Sequence, residues 1–154
     1  MILDAGTRAP EFELVNQFGQ TMRLSALRAE QPITLVFFPL AFSGICQGEL
    51  CELRDNFAMF ETAGMQLVGI SVDSKHTLRA WSEAQSYEFP LLADFWPHGA
   101  VASAFGAFDE QTGVASRATF VIDAEGVIRA SFATPRGQAR SLEQYRQALA
   151  SLGA

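Results

Sequence analysis

The sequence predicts a mixed α/β fold in one layered domain spanning residues 1–154. Three apolar runs read as buried strands: Ile33-Thr34-Leu35-Val36-Phe37-Phe38, Met65-Gln66-Leu67-Val68-Gly69-Ile70-Ser71-Val72 and Arg117-Ala118-Thr119-Phe120-Val121-Ile122-Asp123. Segments of helical periodicity follow the first two, and alternating stretches with turn residues read as hairpins near both ends. The order is a hairpin, then βαβαβα, then a hairpin, then a helix, which forms one layered mixed α/β domain. No internal repeat, linker or low-complexity stretch interrupts it.

Each element has its own signal. Ala9-Pro10-Glu11-Phe12-Glu13-Leu14-Val15 and Gln20-Thr21-Met22-Arg23-Leu24 alternate around Asn16-Gln17-Phe18-Gly19, an N-terminal hairpin. Residues 25–30 form a short helical turn, and Pro32 punctuates before the first core strand. One long helix is expected over residues 44–62, ended by Gly64. After the strand at 65–72, Asp73 or Ser74 caps a helix whose Leu78, Trp81 and Ala84 recur every three positions. Phe89-Pro90-Leu91-Leu92 is a short extended piece. A loop over 94–98 leads to a helical turn through Val101 and Phe105. The strand at 117–123 turns at Ala124-Glu125-Gly126 and pairs back with 127–132, and residues 134–139 are a loop. The last helix opens at Ser141, with Gln144 three residues on as a capping box. Leu142, Tyr145, Leu149 and Leu152 make its buried stripe, and Gly153 ends it.

Composition narrows the function. Apolar residues make up 49% of the chain and thirteen are Phe, enough for a substantial core. A formal charge of −6 argues against a nucleic-acid surface. No apolar run reaches the ~18 residues of a membrane span, and the N-terminus has no basic stretch followed by a long apolar one. The expected compartment is therefore a reducing cytoplasm, where the two cysteines serve chemistry rather than a structural disulfide. Cysteines spaced by four residues, without a paired Cys or His cluster, argue against a metal site. No cofactor is expected.

The chemistry centres on Cys46, where a strand gives way to a helix. Backbone N–H groups lack partners there, and the helix dipole favours an anion such as a thiolate. At about 100° per residue, Leu50, Leu53, Phe57 and Phe60 share a face whose middle holds Cys46. Cys46 thus points at a pocket or the core, Glu49 lies about 60° from it, and Cys51 lies about 140° away toward solvent. Pro39 fixes the backbone where the strand ends, and Ser43 offers a hydroxyl within the same turn. A nucleophilic thiolate here needs a nearby cation, and Arg117, at the start of another strand, is the candidate. Read alone, Cys46 is by default an inert buried thiol, and Glu49 is equally a solvated helix residue or an arginine partner. His76 and His98 read as capping-region and loop residues, and Trp81 and Trp96 as packing. Phe42, Ile45 and Phe105 are either core or an apolar collar that favours organic substrates.

Pro39-x-x-x-Ser43-x-x-Cys46 resembles the peroxiredoxin active-site motif, Pro-x-x-x-Thr/Ser-x-x-Cys. Arg117 resembles the family's distant active-site arginine. Ser71-Val72-Asp73-Ser74 and Phe89-Pro90-Leu91-Leu92-Ala93-Asp94 also match, in order and at similar spacing. Phe37-Phe38-Pro39-Leu40-Ala41-Phe42, Gly44-Ile45-Cys46-Gln47-Gly48-Glu49-Leu50 and Asp94-Phe95-Trp96-Pro97-His98-Gly99-Ala100-Val101 are similar to the alkyl hydroperoxide reductase E subfamily. The resemblance covers essentially the whole chain.

It implies a thioredoxin-like fold, with a central mixed sheet flanked by helices, and a thiol-dependent peroxidase acting on hydrogen peroxide and organic hydroperoxides. Cys46 would attack the peroxide and become a sulfenic acid. Arg117, the Cys46 N–H and Ser43 would hold the peroxide oxygens, Pro39 would shield the pocket, and Glu49 would organise Arg117. Ser43 departs from the commoner threonine, losing a methyl that restricts its rotamer.

The subfamily's best-known type keeps one cysteine, whereas Cys51 here gives the Cys-x-x-x-x-Cys of peroxiredoxin Q, implying a resolving role. An intact helix holds two such Cα atoms roughly 8.6 Å apart, beyond the ~7 Å limit for a disulfide. Resolution therefore needs residues 44–51 to unwind locally. Gly48 between the cysteines lowers that cost by about 1 kcal/mol relative to Ala. Implied reductants are a thioredoxin, a glutaredoxin-like protein or a low-molecular-weight thiol. A homodimer is implied too, although peroxiredoxin Q relatives are often monomers. The alternatives are a one-cysteine peroxidase resolved by an external thiol, or a peroxide-sensing relay module. A thioredoxin-type oxidoreductase would need Cys-x-x-Cys, which this chain lacks.

Overall fold

The computed structural model describes residues 1–152, so Gly153, expected to end the last helix, lies outside the described residues. Nine strands are described: β1 (Glu13–Asn16), β2 (Thr21–Arg23), β3 (Ile33–Phe37), β4 (Gln66–Ser71), β5 (Leu91–Ala93), β6 (Phe108–Asp109), β7 (Val114–Ala115), β8 (Arg117–Ile122) and β9 (Ile128–Thr134). The helices are α1 (Leu24–Glu30), α2 (Gly44–Asp55), α3 (Ala58–Thr62), α4 (Lys75–Gln85), α5 (Ala100–Ala104) and α6 (Leu142–Ala150). Seven strands form one mixed sheet in the order β2-β1-β5-β4-β3-β8-β9, and β6 and β7 make a separate ribbon. Strands β3, β4 and β5 run parallel, and β8 lies antiparallel beside β3. Among the described residues, no helix is long and apolar enough to cross a membrane.

The central strand β3 is buried along its whole length because helices cover both faces. Its alternating residues feed two cores. Ile33, Leu35 and Phe37 join Phe12, Leu24, Leu92, Phe105 and Phe120 on one face. Val36 and Phe38 join Leu50, Phe60, Trp81, Val121 and Leu149 on the other. Helices α2, α3, α4 and α6 pack on this second face, and Cys46 belongs to its core. At the C-terminal ends of the parallel strands the chain leaves β3, turns, and enters α2. Crevices beyond strand C-termini are the usual sites in open α/β sheets.

Several expectations need correction. The long helix over 44–62 is two helices, broken at Asn56 and Phe57. The Asn56 side chain and its backbone N–H both donate to the Glu52 carbonyl, at 2.8 and 3.1 Å, and its backbone leaves the helical region at φ −118°, ψ 24°. A side chain that binds local backbone in this way competes with the helix ladder. The apolar periodicity conceals the break, because Phe60 still reaches the core and Phe57 stacks on Phe89. The β6–β7 ribbon was not anticipated, since two-residue strands carry no periodicity. Strand β9 runs on to Thr134, past the expected end at 132.

Ser74, not Asp73, caps α4, accepting from the Thr77 N–H. The Ser141–Gln144 capping box of α6 is present. Trp81 is buried packing, whereas Trp96 is 80% exposed and packs little.

Candidate active site

The turn between β3 and α2 is built to hold its shape. Phe38 N–H donates to Ile70 O, keeping the chain on the sheet through a residue beyond β3, and Pro39 follows buried. Phe42 adopts the left-handed conformation, φ +66°, which costs a residue with a Cβ roughly 1–2 kcal/mol. Two contacts offset this strain. Ser43 Oγ donates to Leu40 O at 3.0 Å. Ala41 N–H donates to Asp73 Oδ2 at 2.8 Å, and Asp73 also accepts from Ser71 Oγ at 2.7 Å. Asp73 thus ties the turn to the end of β4 rather than capping α4. Ser43 is the N-cap residue of α2, but its hydroxyl serves the turn and not the helix.

Cys46, in the first turn of α2, is fully buried. Arg117, the first residue of β8, donates from Nη1 to Cys46 Sγ at 3.2 Å. The same nitrogen donates to Glu49 Oε1 at 2.7 Å, and Nε donates to Arg136 O at 2.6 Å. The guanidinium is therefore held in one orientation between a carboxylate and the sulfur. Glu49, expected as either solvated or an arginine partner, is buried and pairs with Arg117.

The structure adds Arg140, which sequence reasoning missed. Its Nε and Nη2 donate to Glu49 Oε2 and Oε1 at 2.9 and 3.0 Å, and its backbone N–H donates to Oε2 at 2.7 Å. Its Nη1 donates to Ala118 O and Thr119 Oγ1. Burial alone would push the Glu49 carboxyl up. Arg140's hydrogen bonds and charge, with the charge of Arg117, outweigh burial and hold it below the usual carboxylate value. Two buried arginines against one buried carboxylate leave one positive charge in excess, facing Sγ. One signal could have revealed Arg140: an acid 60° from Cys46 on an inward helix face needs partners, and an arginine precedes the last helix.

Pro39, Leu40, Ser43, Ile45, Val114 and Arg117 line a cavity of about 450 Å³ that leads to this centre. Its walls are mostly apolar, and Arg117 and Arg136 supply its charged side chains. The suggested collar is only partly real. Ile45 lines the cavity, Phe105 lies in the core on the sheet's other face, and Phe42 leans on Trp81.

Cys51 also departs from expectation. It is half-buried rather than turned to solvent, and it docks on the end of α4. Its Sγ lies 3.3 Å from the Tyr87 hydroxyl and 3.5 Å from Gln85 Oε1. Both cysteines are free thiols, on one helix that is intact from Gly44 to Asp55.

A buried thiol beside a fixed guanidinium that lines an apolar cavity suits nucleophilic attack on a small polarised bond. Comparison with known proteins gives that chemistry a family. The AhpC/TSA family profile matches residues 5–131. Alkyl hydroperoxide reductase E of Mycobacterium tuberculosis is 45% identical over 153 residues, covering 99% of this chain and all of that one. The crystal structure of peroxidoxin BcpB from Mycobacterium tuberculosis superposes with a TM-score of 0.85 at 30% identity, over 98% of this chain and 97% of that one. That of Enterococcus faecalis AhpC superposes with a TM-score of 0.86 at 27% identity, over 99% and 93%. The chain belongs to the AhpC/TSA family and is a peroxiredoxin of thioredoxin-like fold, a thiol-dependent peroxidase.

Proposed function

We propose that Cys46 is the peroxidatic nucleophile and that Cys51 resolves its oxidised form. The observation that carries the reading is the 3.2 Å contact between Arg117 Nη1 and Cys46 Sγ inside the protein. A hydroperoxide enters the cavity and the thiolate attacks its terminal oxygen in line. An S–O bond forms, the O–O bond breaks, and the leaving oxygen takes a proton to depart as water or an alcohol. Cys46 becomes a sulfenic acid. Arg117 and the N–H groups at the start of α2 meet the charge as it passes between the oxygens. Ser43 and Pro39 shape the cavity, and Glu49 with Arg140 holds Arg117 in aim. The apolar lining supports organic hydroperoxides as substrates beside hydrogen peroxide.

Resolution follows by attack of the Cys51 sulfur on the Cys46 sulfenic sulfur. An S–S bond forms, the S–O bond breaks, and hydroxide leaves with the Cys51 proton as water. Both residues lie in one intact helix, so the start of α2 unwinds first. A thioredoxin, glutaredoxin-like protein or small thiol then returns both thiols. A homodimer that buries Leu40, Phe42, Phe95 and Trp96, all exposed, and a reducing cytoplasm as compartment belong to the same reading.

The test is one equivalent of peroxide mixed rapidly with reduced protein, followed by intact mass without reductant. Loss of two hydrogens, mapped to Cys46 and Cys51, is expected. In Cys51→Ser a gain of one oxygen should persist. A lasting sulfenic acid in the unaltered protein would mean resolution by an external thiol.

A further inference from the structure

The surroundings of Cys51 are more specific than a resolving cysteine requires. We infer that Tyr87 and Gln85 form a latch on Cys51 that sets the lifetime of the Cys46 sulfenic acid. The inference rests on the two-cysteine reading above.

The latch lies where α4 ends. Ser86 takes the left-handed conformation, φ +58°, and closes α4 by donating from its N–H to Ser82 O. The chain then reverses, with Tyr87 N–H also donating to Ser82 O. This brings Gln85 and Tyr87 to the flank of α2. The Cys51 S–H donates to Gln85 Oε1 at 3.5 Å, which leaves the Tyr87 hydroxyl to donate to Sγ at 3.3 Å. Those two bonds use the donor of a thiol and a sulfur lone pair. Burial first, then the bond to Cys51, push the Tyr87 phenol up, so its proton stays available as the donor. The ring cannot follow Cys51 if the cysteine leaves. It stacks on Phe89 with centroids 5.3 Å apart and meets Trp81 edge-on at 5.1 Å. One turn further along α2, Arg54 Nη1 donates to Gln85 O at 2.6 Å and pins the rest of the helix to the same corner.

These contacts place a cost on one step only. Attack of peroxide on Cys46 uses the folded helix and leaves the latch closed. Disulfide formation needs Cys51 to leave Tyr87 and Gln85. While the latch holds, the sulfenic acid waits in the cavity, exposed to a second peroxide and so to sulfinic acid. Tyr87 and Gln85 act through Cys51 and touch no substrate, so they are positioning residues. Their effect falls on the resolving step alone.

Tyr87→Phe removes the hydroxyl and keeps the stacked ring, and Gln85→Ala removes the second contact. Each variant, and the pair together, is mixed rapidly with one equivalent of peroxide, and the oxidised species are followed by quenched intact mass. The one-oxygen adduct should form at the unaltered rate in all variants. Its conversion to the disulfide should quicken about three- to tenfold in Tyr87→Phe, the size of one hydrogen bond, and further in the double variant. Sulfinic acid at excess peroxide should fall in step. General loosening of the core would change adduct formation as well, and that result overturns the latch. So does conversion that is unchanged or slower, the latter meaning that Tyr87 guides Cys51 inward. If the unaltered protein forms no Cys46–Cys51 disulfide, the two-cysteine reading falls and the latch with it. If it forms one and the variants match it, the latch alone falls.

Discussion

Replacing Arg117 by methionine removes the charge and both N–H contacts of Nη1 while keeping a side chain of similar reach. The structure sets the size of the effect. Nη1 is the one guanidinium nitrogen bonded to Cys46 Sγ, at 3.2 Å, in a fully buried setting. Loss of one such donor to developing charge costs about 10²–10³ in rate, or about 2.7–4 kcal/mol. The fold should survive, because Glu49 retains three hydrogen bonds from Arg140. With about 2 kcal/mol lost, Tm should fall by roughly 4–8 °C. Arg117→Lys keeps the charge, but one ammonium cannot serve Sγ, Glu49 and the Arg136 carbonyl together, so a loss of about tenfold is expected. The assay is stopped-flow reaction of reduced protein with limiting peroxide. A methionine variant within about threefold of the unaltered rate would refute the reasoning, since the buried contact would then carry no transition-state charge.

Glu49 links the site to acid stability. Its folded carboxyl lies below its ordinary value because Arg140 and Arg117 outweigh burial. The unfolded carboxyl titrates near ~4.3. Its contribution is therefore complete above that value and is lost as pH falls through the lower folded value. Denaturant midpoints should drop below about pH 4. Glu49→Gln should cost about 3 kcal/mol at pH 7, because two buried arginines lose their anion, and should flatten the acid limb. An unchanged acid limb would mean another carboxyl governs it. Ser43→Ala removes the hydroxyl donated to Leu40 O and should slow peroxide attack by about tenfold with a stability loss near ~1 kcal/mol. Ser43→Thr keeps that bond and should match or exceed the unaltered protein. Equal rates in all three would remove Ser43 from the site.

The sequence determined by itself whatever depends on local chemistry and periodicity. Ile33-Thr34-Leu35-Val36-Phe37 reads as a strand because every residue suits burial, and Ser141 with Gln144 reads as a helix start because a capping box is local. The angle between Cys46 and Cys51 on one helix follows from helical geometry, so their separation on α2 was legible too. The break at Asn56 was not, because a side chain turning back on Glu52 leaves the apolar spacing intact.

Only the tertiary structure decided which distant groups meet. Arg117 and Cys46 lie 71 residues apart, and Arg140 and Glu49 lie 91 apart. Strand order and loop return set those distances. Tyr87 and Gln85 reach Cys51 by the same means, because the left-handed turn at Ser86 sends the chain back along α2. A charge in a sequence carries no direction. Burial gives it one, because inside the protein each arginine must face its acid, and the positive charge left over faces the sulfur.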